Sequence, residues 1–192
     1  MPLVRVHTTM SLDGYIAGPG GDMDWVFEHG SDVPGELIQG VIDSTGAILT
    51  GRGSYDVGQR SQRPETRKPF GGRWSGPQFV LTHDPPVDEE DPAITFISGD
   101  IAAAVAMARE AGGERDVLVL GASVARQCLA AELVEEIWIY LMPVLLGAGV
   151  RLFADADEQR VMLEPIEIER WGRIASLRYR VAPAARGDSP PG

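Results

Sequence analysis

Ala47-Ile48-Leu49-Thr50-Gly51-Arg52-Gly53-Ser54-Tyr55 reads as a short apolar strand that runs straight into a glycine turn and the start of a helix. An uninterrupted apolar run bounded by turn residues suits a strand covered on both faces. The arrangement returns at Val117-Leu118-Val119-Leu120-Gly121-Ala122-Ser123, again with helical residues after the glycine. Repetition of strand, turn and helix predicts an α/β fold with a mainly parallel central sheet and flanking helices.

Working outward, Leu3 to Thr8 alternates apolar and polar residues as a half-buried strand does, and a Gly-rich loop follows over Asp13 to Asp24. Pro34 suits the first turn of a helix, whose Leu37, Ile38, Val41 and Ile42 recur at helical spacing up to Gly46. A Pro-, Gly- and Arg-rich loop, read as mobile, spans Arg60 to Pro77 before the strand Gln78 to Leu81. Asp88 to Asp91 reads as a solvated acidic loop before the strand Ile94 to Ile97. Asp100 is placed to cap an Ala-rich helix over Ile101 to Ala111, ended by Gly112-Gly113. Glu136 to Leu141 predicts a further strand. Val161 to Glu169 and Ile174 to Val181, broken at Trp171-Gly172, predict an antiparallel hairpin at the C-terminal edge of the sheet. No internal repeat or composition break divides the chain. The expectation is one domain over residues 1–182, followed by a disordered tail over 183–192.

Apolar residues make up 44% of the 192 residues and charged residues 23%, enough to build a core. The formal charge of −11 disfavours a nucleic-acid surface, which needs clustered Lys and Arg, so a small molecule is the expected partner. Cys128 has no second cysteine to pair with and reads as an inert residue on the apolar side of a helix. His7, His29 and His83 lack metal-ligand spacing, so no metal is expected. No leader pattern and no apolar run of membrane-spanning length occur, which predicts a cytoplasmic protein without a membrane partner.

The two glycine turns carry the chemistry. A helix N-terminus offers unpaired N–H groups and partial positive charge, glycine permits close backbone approach, and Arg52 and Ser54 add phosphate donors. In an open α/β sheet ligands collect outside the carboxyl ends of strands, so two such turns side by side could grip a dinucleotide. The plainer alternatives are a tight turn with a surface Arg at the first and an ordinary helix start at the second. The first is not a Rossmann fingerprint, since Asp56 stands where the third glycine would be. Trp138 and Tyr140, at alternate strand positions, read as packing residues.

Five segments together resemble the dihydrofolate-reductase-like superfamily, and specifically proteins similar to the C-terminal reductase domain of the bifunctional riboflavin-biosynthesis deaminase-reductase. They are Ser11-Leu12-Asp13-Gly14-Tyr15-Ile16-Ala17, Asp24-Trp25, Gly51-Arg52-Gly53-Ser54-Tyr55, Val80-Leu81-Thr82-His83 and Pro143-Val144-Leu145-Leu146-Gly147-Ala148-Gly149-Val150-Arg151-Leu152-Phe153. The resemblance spans roughly Leu3 to Val181. It implies a sheet with one antiparallel edge, NADPH across the strand ends, and hydride transfer to a C=N or C=O of a small heterocycle. It assigns Ile16 and Ala17 to the nicotinamide, Gly51, Arg52 and Ser54 to phosphate, Thr82 and His83 to the adenosine end, and Gly121, Ala122, Ser123 and Val124 to the pyrophosphate.

Pro34-Gly35-Glu36-Leu37 is similar to the turn on which dihydrofolate reductases carry a substrate-binding carboxylate. The resemblance therefore makes Glu36 the first candidate for the catalytic acid and Asp13 the second, with a favourable helix-dipole interaction as the alternative role of Glu36. Asp84 stands where relatives often have a basic residue, which implies only a modest preference for NADPH over NADH. Leu120-Gly121 replaces a Gly-Gly pair whose peptide relatives often hold cis. The Pro143 segment resembles a dimer contact and implies a homodimer, although the same residues could simply complete the core. The zinc deaminase signature, His-x-Glu followed by Pro-Cys-x-x-Cys, is absent from the sequence. The activity implied is like that of 5-amino-6-(5-phosphoribosylamino)uracil reductase, with dihydrofolate reduction and dinucleotide binding without turnover as rivals.

Overall fold

The computed structural model describes residues 2–28, 32–61, 63, 67–86, 91–153 and 160–183. Its strands are β1 (Val4–Ser11), β2 (Tyr15–Ala17), β3 (Thr45–Gly51), β4 (Gln78–Leu81), β5 (Ile94–Ile97), β6 (Asp116–Leu120), β7 (Glu136–Met142), β8 (Val150–Arg151), β9 (Leu163–Trp171) and β10 (Ile174–Val181). The α-helices are α1 (Asp24–Phe27), α2 (Gly35–Ser44), α3 (Arg52–Arg60), α4 (Ile101–Gly112) and α5 (Ala122–Ala130).

Eight strands form one sheet in the order β5-β4-β3-β6-β1-β7-β10-β9. The first six are parallel, and β10 and β9 join as an antiparallel edge, as the α/β reading of the sequence anticipates. Because side chains alternate across a strand, the sheet has two cores. One face buries Val4, Val6, Ala47, Leu49, Val117, Val119, Ile137 and Ile139 against Ala104, Val105 and Ala108 of α4 and Val124, Ala125 and Cys128 of α5. Burial pushes the Cys128 thiol up to about 12, which keeps it protonated and inert. The other face packs Ile48, Leu118, Trp138, Tyr140 and Met142 against Val41 and Ile42 of α2 and against Trp25, Trp74 and Trp171. Each such fully buried aliphatic side chain stabilises the fold by roughly 1.5–3 kcal/mol.

Gly46 lies inside β3 and does not terminate α2. The helix runs to Ser44 and the chain enters the strand at once. The Thr45 and Ser44 hydroxyls both donate to the Val41 carbonyl, at 2.7 and 3.1 Å, and so satisfy the helix end without a glycine cap. Gly46 serves packing instead: a Cβ there would stand 2.4 Å from the Gly112 carbonyl at the end of α4. Asp100 caps α4 as anticipated, its carboxylate accepting from the Ala103 N–H at 2.9 Å. The small sheet of β2 and β8 was not foreseen, because two or three residues are too few to show alternation.

The stretch read as a mobile loop is anchored where it is described: Trp74 is buried, and its indole N–H donates to the Thr45 carbonyl at 3.0 Å. The acidic loop residues 88–90, His29 and the tail over 184–192 lie outside the described residues. At the N-terminal ends of the central strands, buried Arg5 pairs with Asp116 and Glu136, each at 3.0 Å, while Arg178 pairs with Glu136 from β10 at 3.0 Å.

Candidate functional site

A cleft of about 1730 Å³ opens at the carboxyl ends of the parallel strands. Since β3 and β6 are neighbours, the turns that follow them lie side by side and form one wall. Thr50 ties the two strand ends together, its hydroxyl donating to the Leu120 carbonyl at 3.1 Å. Gly51 and Gly121 are the N-cap residues of α3 and α5, and neither places a side-chain hydrogen bond over its helix start. Gly121 has φ +88°, and a Cβ on it would stand 2.2 Å from Ser54 Oγ. A Cβ on Gly51 would stand 3.2 Å from Val124. Glycine at these points lets the two turns pack directly on one another, forming a cradle whose two helix starts border the cleft.

The residues assigned to a dinucleotide by resemblance meet here: Ile16, Ala17, Gly51, Arg52, Ser54, Thr82, His83, Gly121, Ala122, Ser123 and Val124 all line the cleft. Arg52 is held from two sides, by the Asp56 carboxylate at 2.7 Å and by the Asp84 carbonyl, which accepts from its guanidinium. The Leu120–Gly121 peptide is trans, because no cis bond occurs among the described residues, and Leu120 is half-buried. Arg60, Arg67, Lys68, Arg73 and Arg126 add basic groups to the lining of this acidic protein's cleft.

Neither proposed acid reaches this site. Glu36 is exposed in the first turn of α2 and does not line the cleft, which leaves the helix-dipole role as the one its position supports. Asp13 is also outside the cleft lining and is fully engaged as an acceptor. The Ser11 hydroxyl donates to it at 2.6 Å, and the backbone N–H groups of Leu146 and Gly147 donate at 3.1 and 2.7 Å. These donors, the Ser11 hydroxyl foremost, hold its carboxyl at about 2, below the ordinary 3.8. An ionised carboxylate so tied clamps the Pro143 segment to the turn after β1 and has no proton to give near neutral pH.

Sequence reasoning missed the floor of the cleft. His7 of β1 and Tyr140 of β7 both line it, although the sequence offers His7 no metal-ligand spacing and reads Tyr140 as packing. Burial first, and the positive charge of Arg5 second, lower the His7 imidazole to about 3, so it is neutral. Burial likewise pushes the Tyr140 phenol up, so it stays protonated. Only the pairing of β1 with β7, which the sequence does not display, could have placed the two together. Among the described residues no group of three or more His, Cys, Asp or Glu could hold a metal, and no helix is long and apolar enough to cross a membrane.

The chain shares the dihydrofolate-reductase-like fold. The structure of a putative riboflavin biosynthesis protein from Shewanella sp. PV-4 superposes with a TM-score of 0.73 at 23% identity, covering 94% of this chain and 99% of the other. Dihydrofolate reductase from Enterococcus faecalis, solved with NADP(H), superposes with a TM-score of 0.58 at 12% identity, covering 93% and 96%. The uncharacterized protein YyaP of Bacillus subtilis is 29% identical over 171 residues, which is 85% of this chain and 86% of the relative. Residues 2–175 match the family described as the RibD C-terminal domain. The chain therefore belongs to the RibD C-terminal domain family.

Proposed function

We propose that this chain is a reductase that uses NADPH, with NADH as an alternative donor, to pass a hydride to a small heterocycle of the pyrimidine or pterin kind. The pattern is 5-amino-6-(5-phosphoribosylamino)uracil reductase. The observation that carries this reading is the contact of the two glycine turns at Gly121 and Ser54, which leaves two uncapped helix starts facing one cleft. Such a cradle fits a pyrophosphate, and the cleft continues over apolar and aromatic walls that fit flat rings.

Gly51, Arg52, Ser54 and Gly121 to Val124 would hold the phosphates, Thr82 and His83 the adenosine end, and Ile16 and Ala17 the nicotinamide. When bound, the reduced nicotinamide supplies the hydride, and the chain's residues orient the partners and exclude water. The basic groups in the lining suit a phosphorylated substrate. The domain assigned to this work covers residues 1–182, in a cytoplasmic homodimer. Exposed Leu12 and Leu145 near the Asp13 clamp supply apolar surface for a second copy, and light scattering would read the mass.

The test is steady-state NADPH oxidation with 5-amino-6-(5-phosphoribosylamino)uracil and with dihydrofolate. Turnover of the pyrimidine is the expected result. Preference for dihydrofolate would reassign the substrate. A second reading, dinucleotide binding without turnover, is favoured by one observation: neither Glu36 nor Asp13 lines the cleft. Binding without oxidation of NADPH across both substrates would establish it.

A further inference from the structure

The C-terminal hairpin leaves part of one sheet face bare. Helices α4 and α5 pack over β3 and β6, and in the strand order β10 and β9 carry the same face beyond them. Leu177 and Val181 of β10 stand on that face, since both pack against its core. Register then sets Ile168 of β9 beside Leu177, Pro165 beside Tyr179 and Leu163 beside Val181 on the same side. The outer row is open to solvent: Ile168 is 60% exposed and Leu163 39%. Of the eleven large apolar side chains exposed among the described residues, five fall between Val161 and Ile168, so the apolar exposure of the chain is concentrated at this hairpin.

The charges of β9 are sorted away from this face. Glu167 and Glu169 stand opposite Arg178 and Ser176, on the side of the sheet where Trp171 and Ile174 pack toward α2. Glu164 turns to Arg180, 3.9 Å away. Arg170, opposite Ala175, is the one charged residue of β9 that the register leaves on the open face. A solvated sheet face carries polar side chains, so an outward row of Leu, Pro and Ile marks a contact surface. The free edge of β9 is ill suited to strand addition, because Pro165 lacks a backbone donor, the ladder is bulged between Arg178 and Tyr179, and three glutamates lie along the strand. An occupant therefore packs on the face and does not extend the sheet.

We propose that this occupant is a second copy of the chain, seated face to face on the same hairpin across a two-fold axis. The area fits: the exposed side chains between Val161 and Ile168 present on the order of 400 Å² of apolar surface, before Leu177, Tyr179 and Val181 are added, against the roughly 500 Å² of apolar area that each partner gives to a standard dimer interface. The charge fits as well. A chain of formal charge −11 repels its own copies over most of its surface, and this face, with one cation and no carboxylate of β9 or β10, lets two copies approach without that cost. A two-fold axis sets the same uncharged patch on both sides. The proposal rests on the homodimer reading and gives it a location, since Leu12 and Leu145 are two single side chains and the hairpin is a continuous face.

Sedimentation equilibrium of the full chain is expected to give a dimer. Ile168→Lys should raise the dimer dissociation constant by about a hundredfold, because a two-fold interface carries the substitution twice, and Leu145→Lys should leave it unchanged. Hydrogen exchange of the wild-type chain reads the same contact without a substitution: concentrating it from below to above the dissociation constant should slow the amides of residues 163–181. A monomer at every concentration would overturn both the proposal and the homodimer reading. A dimer that survives in folded Ile168→Lys, that dissociates in Leu145→Lys, or whose amides over 163–181 exchange alike at both concentrations would overturn the proposal and leave the homodimer reading in place.

Discussion

Gly121 and Ser54 meet so closely that a Cβ on the glycine would lie 2.2 Å from the serine Oγ, and this contact joins the turns after β3 and β6 into one cradle. Gly121→Ala must displace Ser54 and hold a φ of +88° that a side chain disfavours. We expect a stability loss of about 1–3 kcal/mol by chemical denaturation and a fall in NADPH affinity of more than about tenfold. Adding Ser54→Ala should restore part of the stability, because it removes the displaced atom. Strict additivity in that cycle would show that the contact is not the cause.

Asp13 gives the chain an acid-sensitive clamp. Its folded carboxyl sits at about 2 against an ordinary 3.8, so the stabilisation it contributes is complete above pH 4 and is lost as pH falls from about 4 through about 2. Asp13→Asn should melt at a lower temperature than wild type at neutral pH, and the difference should shrink across that window. A difference that stays constant from about pH 7 to about pH 2 would show that ionisation of Asp13 is not what holds the loop.

Glu136 is the centre of the buried ion pairs at the far end of the sheet, bound by Arg5 and Arg178 at 3.0 Å each. Removing it leaves two guanidinium groups short of a partner, and that of Arg5 is buried. Glu136→Ala is expected to cost about 3–5 kcal/mol in chemical denaturation. NADPH affinity of the folded fraction should be unchanged, since these groups do not line the cleft.

The sheet was legible in the sequence because its central strands are unbroken apolar runs, such as Val117 to Val119, bounded by turn residues. The paired glycine turns were legible for the same local reason: Gly51 and Gly121 each follow a strand and precede a helix. Contacts between side chains far apart in the chain were not legible, because they depend on where distant strands and loops meet. Asp13 sits beside the Ile16-Ala17 motif, yet its partners Leu146 and Gly147 lie far along the chain. Glu36 occupies a suggestive turn, but its side chain is exposed on α2. His7 and Tyr140 meet only because β1 pairs with β7. The end of α2 was misjudged because Thr45 and Ser44 do the work expected of Gly46.

Cofactor preference should respond to Asp84, whose backbone carbonyl holds Arg52 and which directly follows Thr82 and His83, the pair proposed for the adenosine end. An acidic group there can accept hydrogen bonds from a free ribose and repel an added phosphate. Asp84→Lys is therefore expected to raise the ratio of NADPH to NADH affinity several-fold, measured at matched salt. An unchanged ratio would place Asp84 away from the ribose.

The central claim is that the cleft at the ends of β3 and β6 holds a nicotinamide dinucleotide, and calorimetric titration of the whole chain with NADPH tests it most directly. Saturable binding of one dinucleotide per chain is predicted, with about 2.7 kcal/mol of added stability once free NADPH reaches a hundredfold excess over its Kd. No heat of binding and no shift in melting temperature with millimolar NADPH or NADH would contradict the account.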